Sequence, residues 1–193
     1  MIKSLHNIWS DFFVALKKIK SYDIVIIALM ASLVAVCSLV AIPVGTVPVT
    51  LQTFAVFVCV GILGKNTGAV SVLIYILLGL TGIPVFSGFQ GGLSVLMGAT
   101  GGYIAGFLPA VLVSGLILEK TGRKIPFMIA SFAVGLVICY IFGIVWYIFV
   151  FADGNMSFYS AFTLCVLPYI FPDAVKIVLA AVVSKSVGER LKK

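Results

Sequence analysis

Apolar residues in this chain do not alternate with polar ones. They run together in long blocks, and the breaks between blocks are short and rich in Gly, Pro or charge. A helix rises about 1.5 Å per residue, so about 20 apolar residues cross a hydrocarbon core of roughly 30 Å. On that measure the pattern predicts six membrane spans, at about 24–42, 50–63, 69–80, 98–118, 125–151 and 158–184. The second and third are short for a full crossing, and the fifth is long enough to tilt or protrude. Ahead of the spans, Ile8, Trp9, Phe12, Phe13, Leu16 and Ile19 recur at helical spacing beside Lys17, Lys18 and Lys20. That predicts an amphipathic segment over 1–21 lying on the membrane surface. No A-x-A-like cleavage site follows it, so the segment is expected to remain in the mature protein. A basic tail, 188–193, closes the chain after a membrane domain at 22–187.

Composition supports this pattern. Of the 193 residues, 62% are hydrophobic and only 10% are charged, where soluble domains carry about 25% charge. The net charge of +7 would suggest nucleic acid in a soluble protein. Here its placement reads as membrane topology instead, and no nucleic-acid partner is expected. Lys3, Lys17, Lys18 and Lys20 precede the first span, and Lys65 follows the second. Lys120, Arg123 and Lys124 follow the fourth, and Lys185, Arg190, Lys192 and Lys193 follow the sixth. The breaks at 43–48, 81–97 and 152–157 carry no basic residue. The positive-inside rule then puts both termini in the cytoplasm and those three breaks outside. The expected fold is an all-α integral membrane protein of six helices, multi-pass in the plasma membrane.

One basic residue, Lys176, lies inside a span, three residues after Asp173. A charge at mid-membrane costs roughly 3 kcal/mol on insertion scales, so such a pair is a functional-site hypothesis. At i and i+3 of a helix the two side chains share a face. Pro172 fits the first helical turn, where its missing N–H loses nothing. Asp173 would then sit near the positive end of the helix dipole. Pro168 predicts a break just upstream. Counting back from Lys185, Asp173 and Lys176 lie about 18 and 14 Å up the helix, in the outer half of the membrane. A structural ion pair pinning two helices is the competing reading of these residues.

The remaining candidate chemistry is thin. Residues 81–97 are glycine-rich and uncharged, too broken for a helix, and are expected to form a surface loop or a lid over a site. Phe86, Phe89 and Gln90 give that loop aromatic faces and one amide. Gly98, Gly102 and Gly106 form a close-packing stripe, with Tyr103 beside it able to turn its hydroxyl inward. Ala31 and Ala35 form a second small-residue pair, on span one. Trp146 and Tyr147 read as interface anchors. Gly64–Lys65 resembles part of a phosphate loop, but Asn66 and Cys59 stand where Ser/Thr and Gly are needed, which excludes nucleotide binding there. Four separated cysteines and one histidine, His6, supply no metal set, and no cofactor is expected.

Several short motifs together resemble one family. They are Val47-Pro-Val-Thr-Leu-Gln-Thr53, Gly79-Leu-Thr-Gly-Ile-Pro-Val-Phe86, Gly91-Gly-Leu93, Gly101-Gly-Tyr-Ile-Ala-Gly-Phe107 and Pro172-Asp-Ala-Val-Lys176. In this order they are similar to the BioY family, the biotin-specific substrate-binding (S) components of prokaryotic energy-coupling factor transporters. The resemblance covers roughly residues 22–187. It implies a six-helix protein that captures biotin from outside, and partners comprising a transmembrane coupling subunit of the EcfT type and two cytoplasmic ATPase subunits. It implies no enzymatic activity in this chain. It places Asp173 and Lys176 at the biotin site, with Gln90 from the loop; Gln52, Phe86, Phe89 and Tyr103 are the further substrate-binding candidates of this sequence. It also implies that Ala31 and Ala35 dock the coupling subunit. A ureido ring offers two N–H donors and a carbonyl, which suit a carboxylate and an ammonium; Lys176 meeting the valerate carboxylate is the other arrangement.

Two rivals stand beside this reading. A stand-alone secondary transporter would need its own coupling path, and no inverted repeat is visible. An intramembrane enzyme would need a nucleophile with a base, or a metal cluster, and the sequence supplies neither.

Overall fold

A computed structural model describes residues 21–43 and 45–190. The segment 1–20, and with it the expected amphipathic helix, lies outside the described residues, as do 191–193. Helix α1 spans Ser21–Leu39, and a two-residue hairpin pairs β1 (Ala41–Ile42) with β2 (Val49–Thr50). Helices α2 (Gln52–Leu63) and α3 (Lys65–Leu80) follow, then a short α4 (Leu93–Met97). Helices α5 (Gly101–Thr121) and α6 (Ile125–Trp146) come next, and α6 closes in a π-helical turn over Tyr147–Phe151. Helix α7 (Phe158–Cys165), a 3₁₀ turn at Leu167–Tyr169 and α8 (Ile170–Arg190) complete the chain.

Four stretches are long and apolar enough to cross a membrane: Ser21–Leu39, Gly101–Thr121, Ile125–Phe151 and Phe158–Arg190. Helices α2 and α3 are apolar but shorter. At about 1.5 Å per residue the 12-residue α2 is only about 18 Å long. It is also the most enclosed element, with Ala55 to Ile62 all buried. Helix α8 packs along it, and Ser184 sits over Gly61, where a Cβ would stand 2.4 Å from the Ser184 Oγ. Because α2 stops short, its N-terminal end leaves a hollow among the longer helices. The hairpin β1–β2 hangs over that hollow.

Small residues bring α5 and α6 together. A Cβ at Gly102 would lie 2.4 Å from the Cβ of Trp146 and 2.5 Å from the Phe142 carbonyl oxygen. A turn further on, a Cβ at Gly106 would crowd Phe142 and Cys139. Lower still, Ser114 and Ser131 donate to each other's carbonyl oxygens, at 3.0 and 2.7 Å. These reciprocal bonds satisfy hydroxyls that would otherwise stand unpaired in an apolar setting.

The structure corrects several sequence expectations. The break at 43–48 is not a simple turn but the loop of the β hairpin. The polar turn expected over 64–68 shrinks to Gly64, whose φ of +82° suits glycine, and α3 already begins at Lys65. Lys65 is buried there and pairs with Glu119 at 3.3 Å. Part of the 81–97 loop is helical, at Leu93–Met97. Trp146 and Tyr147 are not lipid-facing anchors: Tyr147 is 3% exposed, and Trp146 packs on Gly101 and Gly102, whose missing side chains seat the indole. Helix α8 runs on past Ser184 to Arg190, so Gly188–Arg190, expected in the tail, are helical.

Candidate functional site

The hollow above α2 is a narrow cleft where three helices begin. Gln52 and Thr53 enter it from the first turn of α2, Tyr103, Ile104 and Phe107 from α5, and Asp173 and Lys176 from α8. The hairpin contributes Val47, Pro48, Val49 and Thr50, and Ser87 and Thr100 complete the lining. The empty space is about 500 Å³ including its open mouth.

Helix α8 can start at Ile170 because Pro172 falls in its first turn, where no N–H partner is required. The chain reaches that start through the 3₁₀ turn holding Pro168. Asp173 and Lys176 then fall on one face, 2.7 Å apart, and both are buried. The carboxylate is held on both oxygens. Its Oδ1 accepts from the Lys176 ammonium at 2.7 Å and from the Thr53 hydroxyl at 3.1 Å. Its Oδ2 accepts from the Tyr140 hydroxyl at 2.7 Å. Three donors from α8, α2 and α6 therefore fix one carboxylate. A carboxylate offers about four lone-pair sites, so one remains open, and the ammonium keeps two donors beyond the one Asp173 uses.

Gln52 is buried and largely committed to structure. Its Nε2 donates to the Tyr75 hydroxyl at 2.5 Å, and its Oε1 accepts from Thr50 at 2.9 Å. Tyr103 turns inward as expected, but its hydroxyl donates to the Cys165 carbonyl, tying α5 to the end of α7. Its ring lines the cleft.

The loop residues are placed apart. Phe86 is fully buried, edge-on to Tyr75 with ring centroids 5.6 Å apart, and does not line the cleft. Its ring occupies the space beside Gly79, where a Cβ would stand 2.1 Å away. Phe89 is 69% exposed at the loop tip, in the left-handed region at φ +58°. Gln90 lines a second, outer space rather than the cleft. That chamber lies between the hairpin and residues 87–100 and meets the cleft at Pro48, Ser87 and Thr100.

Ala31 and Ala35 lie on the side of α1 that faces the bundle. Ala31 is 2% exposed within the bundle core, and Ala35 is half-buried against it. Helix α1 turns this face toward α3, and its outer face carries Ala28, Ser32 and Val36.

Two residues that hold the carboxylate, Thr53 and Tyr140, are not marked out by the sequence. Thr53 lies in a motif already singled out, one residue past Gln52. Tyr140 lies in the middle of a 27-residue apolar run, where a single hydroxyl gives no periodic signal. The only cue was the membrane setting, in which a tyrosine hydroxyl away from the interface needs a partner.

The BioY family model matches residues 14–193. The "Probable biotin transporter BioY" of Pyrococcus horikoshii is 38% identical over 86% of this chain and 96% of its own length. The "Biotin transporter BioY" of Thermotoga maritima is 38% identical over 81% of this chain and 89% of its own. Among solved structures, one described as the S-component for biotin from an ECF-type ABC transporter superposes with a TM-score of 0.78 at 25% identity. It covers 87% of this chain and 91% of that one. The chain belongs to the BioY family.

Proposed function

We propose that this chain binds biotin as the substrate-binding subunit of an energy-coupling factor importer. The observation that carries the reading is the buried Asp173–Lys176 pair at the base of the cleft, 2.7 Å apart and joined by Thr53 and Tyr140. A ureido ring is neutral and presents N–H donors beside a carbonyl acceptor. The carboxylate accepts from the ring N–H groups, taking up its open site and displacing Thr53, which holds it at the longest distance. The ammonium donates to the ring carbonyl with a proton that Asp173 does not use. Each such bond in a dry site is selective, because an analogue lacking its partner strands a buried polar group.

The same pair favours one orientation of the ligand. A valerate carboxylate at the base would add a second negative charge beside Asp173, whose charge Lys176 already balances. Unpaired charge in a low-dielectric interior is strongly unfavourable, whereas a neutral ureido ring adds none. The ring therefore goes to the base and the carboxylate toward the mouth.

In this reading α2 and α3 complete a set of six spans, both termini are cytoplasmic and the cleft faces outward. Charge placement supports it, since Lys65, Lys120, Arg123, Lys124 and Lys185 all fall at the end opposite the cleft. The protein sits in the plasma membrane and supplies no ATPase. A transmembrane coupling subunit and two cytoplasmic ATPases drive delivery of the ligand to the cytoplasm. The coupling subunit meets α1 on its outer Ala28–Ser32 face, since Ala31 is enclosed. Equilibrium binding of labelled biotin to the purified chain tests the reading. Saturable binding at one site per chain is expected, and its absence overturns it.

A further inference from the structure

The outer chamber is the part of the molecule that capture of biotin leaves unexplained. It holds about 1200 Å³ of empty space counting its open side, against about 500 Å³ for the cleft. A bicyclic ring bound at the Asp173–Lys176 base directs its acyl tail outward. The tail passes Pro48, Ser87 and Thr100, the residues that both spaces share. The tail's end then lies at the threshold of a space larger than a five-carbon acid needs.

The lining chemistry of the chamber is specific in what it omits. Thr46, Ser87, Gln90, Ser94 and Thr100 supply hydroxyls and one amide, and none of the described residues that line it is charged. A site built to demand a free carboxylate would offer a cation, since a charge-assisted bond is roughly twice as strong as a neutral one. Hydroxyls and a primary amide can donate to the carbonyl of a secondary amide and also accept its N–H, which a cation could not do. Nothing in the chamber closes off the bond that an amide would form.

We propose that the chamber is a subsite for the substituent of biotin amides, so that the protein captures biotin conjugated through its carboxyl group as well as free biotin. The ligand class is a biotinyl amide bearing a short polar extension, such as the ε-amino group of lysine or a short peptide containing it. This inference rests on the biotin reading above and on the ring-down orientation.

The test is competition against labelled biotin on the purified full chain, with free biotin and with biotin amidated by the ε-amino group of lysine. The amide is expected to compete within about tenfold of free biotin, since its ring contacts are unchanged. Biotin binding with the amide weaker by about a hundredfold or more overturns the subsite and leaves the biotin reading intact. Binding of neither overturns both. A second measurement uses Ser94→Trp, which fills the chamber from an exposed position. It is expected to weaken the amide at least about tenfold more than it weakens biotin. An unchanged ratio of the two affinities places the extension outside the chamber and overturns the proposal.

Discussion

Replacing Asp173 by Asn tests whether the buried pair reads the ligand or only joins helices. The single change strands the Lys176 ammonium, whose side chain is 10% exposed and whose one hydrogen-bond partner among the described residues is Asp173. Removing one member of a buried pair costs about 3–5 kcal/mol, a large share of a total stability of about 5–15 kcal/mol. The single variant is therefore expected to fold poorly, which would obscure any effect on binding. Asp173→Asn combined with Lys176→Met removes both charges and keeps side chains of similar volume, so the fold is expected to return. Binding then loses two charge-assisted bonds, each worth about 1.5–3 kcal/mol, and regains a neutral bond of about 1 kcal/mol from the Asn oxygen. The net loss is at least about 2 kcal/mol, roughly thirtyfold or more in affinity. Thermal unfolding in detergent establishes that the double variant is folded, and equilibrium binding of labelled biotin measures the loss. Normal binding by the folded double variant would refute the assignment and leave the pair as a structural bridge.

The other expectations concern positioning, topology, packing and docking. Tyr140→Phe deletes the hydroxyl that donates to Asp173 Oδ2 at 2.7 Å; biotin affinity should fall about three- to tenfold, and a double-mutant cycle with the charge-free pair should show strong non-additivity, where simple additivity would deny Tyr140 its role. Cysteine labelling of intact cells from outside should reach position 155 and not position 122, and the opposite result would invert the topology. Gly102→Leu forces a side chain into the Trp146 and Phe142 backbone, so the melting temperature in detergent should drop by an amount matching about 1–3 kcal/mol or more, and an unchanged value would contradict the close approach of α5 and α6. Ser32→Trp, on the outer face of α1, should preserve biotin binding and abolish uptake in cells, whereas Ala31→Trp should lower stability itself because its site is already filled; loss of binding in folded Ser32→Trp protein would remove the docking assignment.

What could be read from the sequence was whatever the membrane makes expensive or whatever geometry makes rigid. Two charges in an apolar run, Asp173 and Lys176, stood out because burial in lipid leaves few other reasons to keep them. Pro168 and Pro172 marked the helix break because proline has no N–H to give. The stripe of Gly102 and Gly106 marked close packing because only a missing Cβ permits it. The faces of individual helices were not legible. Helix α1 is apolar all round, so no polar stripe separates its lipid side from its protein side, and Ala31 was placed outward when it lies 2% exposed in the core. The same degeneracy hid the direction of Phe86, which tertiary packing against Tyr75 and Gly79 decides. Tyr140 met Asp173 across 33 residues of chain, a pairing that no local pattern encodes.

The hairpin over the cleft is fastened by two tyrosine hydroxyls from the far end of the chain. Tyr147 donates to the Thr46 hydroxyl at 3.3 Å, and Tyr169 donates to the Val47 carbonyl. Each such bond contributes about 0.5–1.5 kcal/mol net, and burial of Val47 against both tyrosines adds to that, so the hairpin is open in only a minority of molecules at any moment. For a ligand passing beneath it, that minority sets the pace. Capture proceeds at the encounter rate multiplied by the open fraction, and escape is slowed in the same proportion. The latch therefore cancels from the equilibrium constant and appears only in time, as a longer stay for whatever the cleft holds.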